Sequence, residues 1–384
     1  MDITLLLDYS KKRTSGGPPG VAYDTIEGLK KNYRRVEKED IHFHIMSSTG
    51  TTLHSIFEKY DTYSNLSFEY FRPIVPTAIF SDLNYLLHIK KGKKKIDLIH
   101  SHSISGALVG VLRHIPTMLT LHGMIWREKK YYPGIYTKFS FDINIQRFKY
   151  VSQRLKKLVA ISPYVITEVD QFLKTRIADT EIIENPISDV FFEQEKREKE
   201  GLILYPGSID RRKNQISLIK TLALLKKDNV KFHCVLPGPI TDEGYLNELW
   251  EMIKKYQLEQ DVTIPGPVPF EQLLRLYSEA SIMIMTTLQE TAPMVISEAM
   301  AMGTPVIASN ISGIPYMVSA GKSGFLIDPN SPQEIADHTA NLLGDHTLRK
   351  QFQEESRRIA ASRWKSEVIT NKLIDLYIKQ GLKD

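Results

Sequence analysis

Short apolar runs alternate with longer stretches of helical spacing along this chain. Ile3–Leu7 reads as a first strand. Ile41–Met46, apolar at 41, 43 and 45, is a second, and Leu98–His100 ends a third. Thr117–Leu121 and Leu158–Ile161 follow as a fourth and a fifth. Helical patterns fall between them, at Tyr23–Asn32, Ile79–Ile89 and Tyr136–Lys157. This is the βαβ rhythm of a mostly parallel sheet covered by helices.

The rhythm then restarts. Strands are predicted at Leu202–Tyr205, Phe232–Leu236, Val262–Ile264 and Ile282–Thr286, with extended segments at Pro305–Ala308 and Gly324–Ile327. Helices are predicted at Gln215–Lys227, Glu243–Tyr256, Phe270–Ala280, Val295–Met302 and Pro332–Leu343. Asn185-Pro186 and the charged run Glu193–Glu200 separate the two patterns and mark a linker. The last segment, Lys365–Lys379, is apolar at 368, 369, 373, 376 and 377, as an amphipathic helix requires. The expected architecture is α/β, with two Rossmann-like doubly wound domains at 1–185 and 186–364. A helix within 365–384 follows. Ligands of such folds bind at the C-terminal edges of the strands, here in a cleft between the domains.

Composition narrows the class. Of 384 residues, 42% are hydrophobic and 25% charged, which excludes disorder, collagen and coiled coil as the main theme. A single cysteine, Cys234, excludes an intramolecular disulfide and a cysteine-only zinc site. The apolar start Ile3–Leu7 is bracketed by Asp2 and Asp8, unlike an export signal. No apolar run approaches the ~18 residues of a membrane span. A cytoplasmic protein is therefore expected.

Four loops carry candidate chemistry. Ser15-Gly16-Gly17-Pro18-Pro19-Gly20 follows the first strand, where glycines let the backbone approach a ligand and a helix start favours an anion. It is not a dinucleotide fingerprint. Gly207-Ser208-Ile209-Asp210-Arg211-Arg212-Lys213-Asn214 places three consecutive cations after a strand, suited to a pyrophosphate. Glu290-Thr291-Ala292-Pro293-Met294-Val295-Ile296-Ser297-Glu298 holds two carboxylates, natural partners for ribose or sugar hydroxyls. His122 ends a predicted central strand and is followed by Gly123. His100 and His102 have the spacing of a metal pair but no evident third ligand, so no metal site is assigned. Gly321-Lys322-Ser323 imitates the end of a P-loop, but Tyr316 stands where its first glycine belongs.

In combination these residues resemble glycosyltransferase family 4, the retaining, nucleotide-sugar-dependent enzymes of the GT-B fold. The resemblance runs over nearly the whole chain. It is strongest from Ile282 to Ile327, where Glu290, Glu298, Ala299–Ser309, Gly313 and Gly324 fall in the family's order. Thr120-Leu121-His122-Gly123 and Ala160-Ile161-Ser162 fit in the first half.

The resemblance implies roles. Glu298 would hold the donor ribose, Glu290 the donor sugar, and Lys213 the diphosphate. Gly16 and Gly17 would approach phosphate or sugar from the first domain, and His122 would lie beside the reacting sugar. Ser208, Arg212, Val268, Thr291, Ala292, Met294 and Val295 complete the expected donor site. The family works without a bound metal or other cofactor, so side-chain cations would meet the leaving diphosphate. The terminal helix would cross back onto the first domain. Two departures stand out. Ser208 replaces a common arginine, leaving Arg211 or Arg212 to substitute. Pro293 lacks the N–H that a glycine would offer the sugar.

The expected reaction moves a hexose-type sugar from a UDP- or GDP-sugar to a hydroxyl of a carbohydrate or lipid-linked acceptor, with retention, in polysaccharide, glycolipid or glycoconjugate assembly. Alternatives are a nucleotide-sugar epimerase of the same fold and a non-catalytic nucleotide-sugar-binding subunit. No nucleic-acid motif is present.

The net charge of +5 is unevenly divided. Residues 1–185 hold 27 Lys/Arg against 19 Asp/Glu, and the remainder 23 against 26. Within 127–157 nine basic residues face two acidic ones, interleaved with Trp126, Tyr131, Tyr132, Phe139, Phe141 and Phe148. Lys90, Lys91, Lys93, Lys94 and Lys95 form a second cluster. Such segments suit an anionic membrane face or a lipid-diphosphate acceptor, or else a solvated helix face.

Overall fold

The computed structural model describes residues 1–7, 13, 17–47, 56–59, 63–70, 85–86, 89, 96–132, 134–177 and 179–381. The chain forms two compact units. One is Met1–Pro186 joined by Ser366–Asp384, and the other is Ile187–Lys365.

The first unit is built on an eight-stranded sheet in the order β3-β4-β2-β1-β5-β6-β7-β8. The strands are β1 Asp2–Leu6, β2 His42–Ser47, β3 Ile56–Lys59, β4 Leu66–Tyr70, β5 Leu98–Ser101, β6 Thr117–Leu121, β7 Lys157–Ala160 and β8 Thr180–Ile182. All neighbours pair in parallel except β3, which runs antiparallel to β4 at the edge. The interior strands β5, β6 and β7 are buried at every position. That continuous burial is why they read as unbroken apolar runs.

The second unit has a wholly parallel six-stranded sheet, ordered β11-β10-β9-β12-β13-β14. Its strands are β9 Leu202–Leu204, β10 His233–Pro237, β11 Val262–Gly266, β12 Ile282–Met285, β13 Val306–Ser309 and β14 Gly324–Ile327. The chain order reverses at β9, between β10 and β12. Loops leaving the C-terminal ends of those strands therefore splay apart and leave room for a ligand. Two doubly wound, Rossmann-like units are thus present.

Several expectations are corrected. The helix expected at Tyr23–Asn32 begins at Gly17 and runs to Lys31, so Gly17–Gly20 form its first turn rather than a loop. Pro18 and Pro19 suit that turn, because its N–H groups have no intrahelical acceptor. Gly16 lies outside the described residues, as do Lys90, Lys91, Lys93–Lys95 and most of Ile79–Ile89. The helix expected at Tyr136–Lys157 runs Ile135–Ser152, and Lys157 opens β7. Its side chain pairs with Asp179 and Glu181 on the neighbouring chain segment. Sequence reading missed β3, β4, β8 and, among the helices, Tyr33–Lys38, Ile104–Leu112, Pro163–Leu173 and His346–Arg363. β8, at the rim of the sheet, is only partly buried, and its apolar signal is correspondingly weak.

The terminal helix Ser366–Gly381 belongs to the first unit. Ile369, Leu373, Ile374, Leu376 and Tyr377 join the same core as Ile3, Leu5, Ile26 and Phe43. Its seat is the helix Gly17–Lys31. A side chain at Gly28 would place its Cβ 2.5 Å from the Ser366 carbonyl oxygen and 2.6 Å from Thr370 Cγ2. Asn32 Nδ2 donates to Thr370 Oγ1 at 2.7 Å and to the Glu367 carbonyl at 3.0 Å. Tyr377 also bonds His100 Nδ1 at 2.6 Å, while His100 Nε2 meets Thr120 Oγ1 at 2.7 Å. Burial, with a smaller contribution from His122, pushes His100 down to about 3, so it stays neutral in the folded chain.

Two outcomes follow. Gly28→Ala should lower stability in urea unfolding by about 1–3 kcal/mol, because the close helix approach outweighs the gain in helix propensity. An unchanged midpoint would mean the terminal helix does not rest on Gly28. Second, unfolded His100 binds a proton below its ordinary value of 6.5, whereas folded His100 waits until about 3. Stability contributed by its neutral, buried state is therefore lost as pH falls through that window. Comparing unfolding free energy against pH for the wild type and His100→Gln should show a shallower acid slope in the variant.

Candidate active site

The site of the second unit is assembled by two loops at its sheet edge. The first follows β9 and carries Gly207 to Asn214. The second follows β12 and carries Thr286 to Pro293, leading into the helix Met294–Ala301. Backbone and hydroxyl bonds tie them together. Leu288 N donates to the Arg212 carbonyl at 2.8 Å, and Thr287 Oγ1 donates to the same oxygen at 3.1 Å. Thr286 Oγ1 donates to the Asn214 carbonyl at 2.9 Å. The fully buried Tyr205 donates its phenol to the Lys213 carbonyl, and burial raises that phenol above its ordinary value, so it keeps its proton.

The charged centre lies between the loops. Lys213 Nζ and Arg212 Nη1 both donate to one oxygen, Glu290 Oε1, at 2.5 and 2.7 Å. Arg212 Nη1 also bonds the Gln289 carbonyl at 3.0 Å. Side-chain exposures are only 10% for Lys213, 17% for Arg212 and 14% for Glu290. Burial by itself would raise the Glu290 carboxyl. The Lys213 and Arg212 charges and their hydrogen bonds outweigh it and hold the group below the usual carboxylate range. Two cations on one carboxylate leave the trio with a net positive charge, the arrangement that receives an anion.

The same geometry separates the two arginines. Arg211 turns outward to Glu248, with Asp242 nearby at 3.6 Å, and lies over the Tyr245 ring. Arg212 alone of the pair turns in to Glu290. Ser208, at the position of the missing arginine, donates instead to Asp210 Oδ2 at 2.5 Å. Asp210 Oδ1 accepts from Lys213 N at 3.1 Å, closing the turn that presents the lysine.

The second carboxylate is deeper. Glu298 is 1% exposed, inside the helix Met294–Ala301, and accepts from the Tyr277 hydroxyl at 2.9 Å. Tyr277 packs edge-on against Phe191, which also meets Phe270. Thr291 and Met294 are buried, whereas Ala292, Val295 and Val268 are partly exposed. Pro293 occupies the cap of the helix, where its fixed φ of −68° fits and its missing N–H costs nothing.

Sequence reasoning missed three contributors. Tyr205 looked like the end of a strand. Tyr277 looked like an ordinary apolar helix position. Gly238, after β10, is packed so closely that a Cβ there would lie 2.0 Å from the Gly207 carbonyl oxygen. The Pro-Gly-Pro context of Gly238 is the only local signal for it.

In the first unit, His122 is brought together with the two histidines of the H-x-H pair. His122 Nε2 bonds His102 Nδ1 at 3.0 Å, and the rings of His100 and His102 lie 5.1 Å apart. Burial pushes His122 down to about 4 despite a hydrogen bond to the Asn185 side chain that opposes the shift. Burial and the other two histidines lower His102 as well. At neutral pH the cluster is uncharged, and one ring of the His122–His102 pair donates to the other. Among the described residues no group of three or more His, Cys, Asp or Glu is arranged to hold a metal ion. Gly17, the described remnant of the glycine loop, opens its helix at an exposed position.

Comparison with known proteins places these units. Residues 187–359 match the family model described as glycosyl transferases group 1, and residues 34–190 match that of glycosyltransferase family 4. An uncharacterized glycosyltransferase of Methanocaldococcus jannaschii is 25% identical over 89% of this chain and 92% of its own length. A D-inositol 3-phosphate glycosyltransferase of Paenarthrobacter aurescens is 27% identical over 70% of this chain and 68% of its own. Among solved structures, sucrose-phosphate synthase from Thermosynechococcus elongatus superposes with a TM-score of 0.77 at 18% identity, covering all of both chains. HepE of Anabaena, solved with UDP and glucose, has a TM-score of 0.71 at 18% identity over 98% of each chain. Those two likenesses establish the fold, and the two family models together span residues 34–359. The chain belongs to the glycosyltransferases of family 4, built on the GT-B fold.

Proposed function

We propose that this glycosyltransferase moves a hexose from a UDP- or GDP-linked donor to a hydroxyl of a carbohydrate or lipid-linked acceptor, with retention at the anomeric carbon. The observation that carries the donor side is the convergence of Lys213 and Arg212 on Glu290 Oε1 in a largely buried pocket of charge. In the transfer, the bond from the anomeric carbon to the diphosphate breaks and a bond to the acceptor oxygen forms. The acceptor hydroxyl's proton passes to the departing diphosphate oxygen or to solvent, and the diphosphate leaves with the bonding electron pair and its negative charge. Lys213 and Arg212 are the groups that meet that charge. Their buried setting strengthens the interaction relative to water, and their fixed positions spare reorganisation during reaction. The chain's own cations thus supply the clamp, without a metal.

Glu290 has a double part in this reading. It draws the two cations together and fixes them in place, and it remains an ionised acceptor for a sugar hydroxyl. Glu298, in the helix that follows, is the acceptor for the ribose diol, with Tyr277 fixing its carboxylate. The Ser208 hydroxyl and the first-turn amides of Met294 and Val295 complete the donor contacts. On the first unit, His122 acts as a neutral hydrogen-bonding partner of the transferred sugar, since burial keeps it uncharged at neutral pH.

Binding of UDP, GDP and their sugars, followed by calorimetry, and slow donor hydrolysis test this assignment. Lys213→Ala should weaken donor binding tenfold to a hundredfold, the range for losing a hydrogen bond to a charged group. Unchanged donor affinity in Lys213→Ala, or in Glu298→Ala, would sink the assignment. Tyr205→Phe removes only the hydroxyl that holds the Lys213 carbonyl. It should weaken donor binding less than Lys213→Ala does, with the effect confined to diphosphate-containing ligands and absent for the free nucleoside. An isomerised sugar from donor alone would point instead to epimerisation.

A further inference from the structure

The helix Ile135–Ser152 of the first unit has two apolar faces, and only one of them is used by the fold. Phe148, Val151 and Ser152 are buried on one side. Trp126 anchors this side of the unit, stacked on Phe172 at 4.1 Å and tilted against Phe148 at 5.3 Å. At 3.6 residues per turn, Ile135, Tyr136, Phe139, Ile143 and Tyr150 fall on the opposite side. There Ile135 is 89% exposed, Tyr136 61% and Phe139 56%. Single exposed apolar residues are ordinary, but consecutive turns of one helix face presenting them are not.

The setting of this stripe is cationic. Lys138 and Lys149 lie along one border of it, both exposed. Lys129 and Lys130 precede it, and the whole stretch 127–157 has nine Lys/Arg against two acidic residues. Tyr132, next to the helix start, is also exposed. Tyrosine and phenylalanine with bordering lysines match the two layers of a bilayer surface. The rings and Ile135 enter the headgroup and acyl boundary, while the ammonium groups stay at the anionic phosphates. Among the described residues no helix is long and apolar enough to cross a membrane, so this face would lie in the surface and not span it.

We infer that the exposed face of Ile135, Tyr136 and Phe139, bordered by Lys138 and Lys149, docks this glycosyltransferase onto an anionic lipid surface. A second copy of the chain fits less well, because pairing this face with itself would bring the lysine borders of both copies together. The docking deepens the acceptor side of the proposed function by placing the first unit where lipid-linked acceptors reside. It does not depend on the donor assignment, which is measured separately.

The test is co-sedimentation of the full chain with vesicles of phosphatidylcholine alone or mixed with phosphatidylglycerol. The wild type should bind the mixed vesicles, and added salt should weaken that binding, since exposed charges are screened. The triple variant Ile135→Ser, Tyr136→Ser, Phe139→Ser should lose at least tenfold in partitioning. Lys138→Glu with Lys149→Glu should remove the preference for anionic vesicles. Because all five side chains are exposed, both variants should keep the wild-type unfolding midpoint and unaltered UDP or GDP binding. No binding of the wild type to mixed vesicles overturns the inference, as does equal binding by the triple variant. Self-association in sedimentation velocity that the triple variant abolishes, without vesicle binding, assigns the face to a second copy and also overturns it.

Discussion

One buried carboxylate oxygen organises the donor side of this protein. Glu290 Oε1 accepts from both Lys213 and Arg212, and these residues stand on different loops from it. Removing Glu290 from such a cluster leaves two uncompensated cations with little water to solvate them, and breaking a buried pair in this way costs about 3–5 kcal/mol. The surrounding bonds have meaning in that light. Tyr205, Thr286 and Thr287 hold the carbonyls of residues 212–214, so the cationic turn is fixed from its backbone as well as from its side chains. Asp210 and Ser208 close the same turn from the other side. The chain's own bonds hold the two loops to each other, and such preorganisation lowers the entropy cost of binding.

The first unit uses the opposite device. The clustered histidines His100, His102 and His122 are kept uncharged chiefly by burial, so polar groups at its sheet edge offer hydrogen bonds without net charge. Tyr377 of the terminal helix reaches His100 in the core, and the His100 ring lies tilted beside that of His102, which bonds His122. The last helix of the chain thus supports the very strand ends that carry the candidate sugar partner. Exposed charge in this unit lines the helix Ile135–Ser152, while Arg13 and Asp24 form a buried ion pair elsewhere in it.

That helix also explains a failure of pattern reading. A helix with apolar residues on two faces has no single polar side, so periodicity neither located its end nor told which face was buried. Phe148 and Phe139 are alike in sequence, yet one is buried and the other mostly exposed. The difference arises from Trp126 and Phe172, which come from separate segments and occupy only one side of the helix.

Sequence by itself determined the sheet interiors, because strands buried on both faces must be continuous apolar runs. It also determined most of the second unit's helices, though not His346–Arg363, and the terminal amphipathic helix, whose buried and exposed positions repeat with a fixed period. It brought forward Lys213, Glu290 and Glu298 through their order in a long motif. Tertiary structure alone decided that Arg212 and not Arg211 faces Glu290. Adjacent side chains on a turn point in different directions, and only the partners across space, Glu290 for one and Glu248 for the other, select between them. It alone revealed Tyr205, Tyr277 and Gly238, because their roles are contacts with residues far along the chain. Local residue pattern carries burial and period, whereas the direction of a side chain and the identity of its distant partner are set only when the chain has folded.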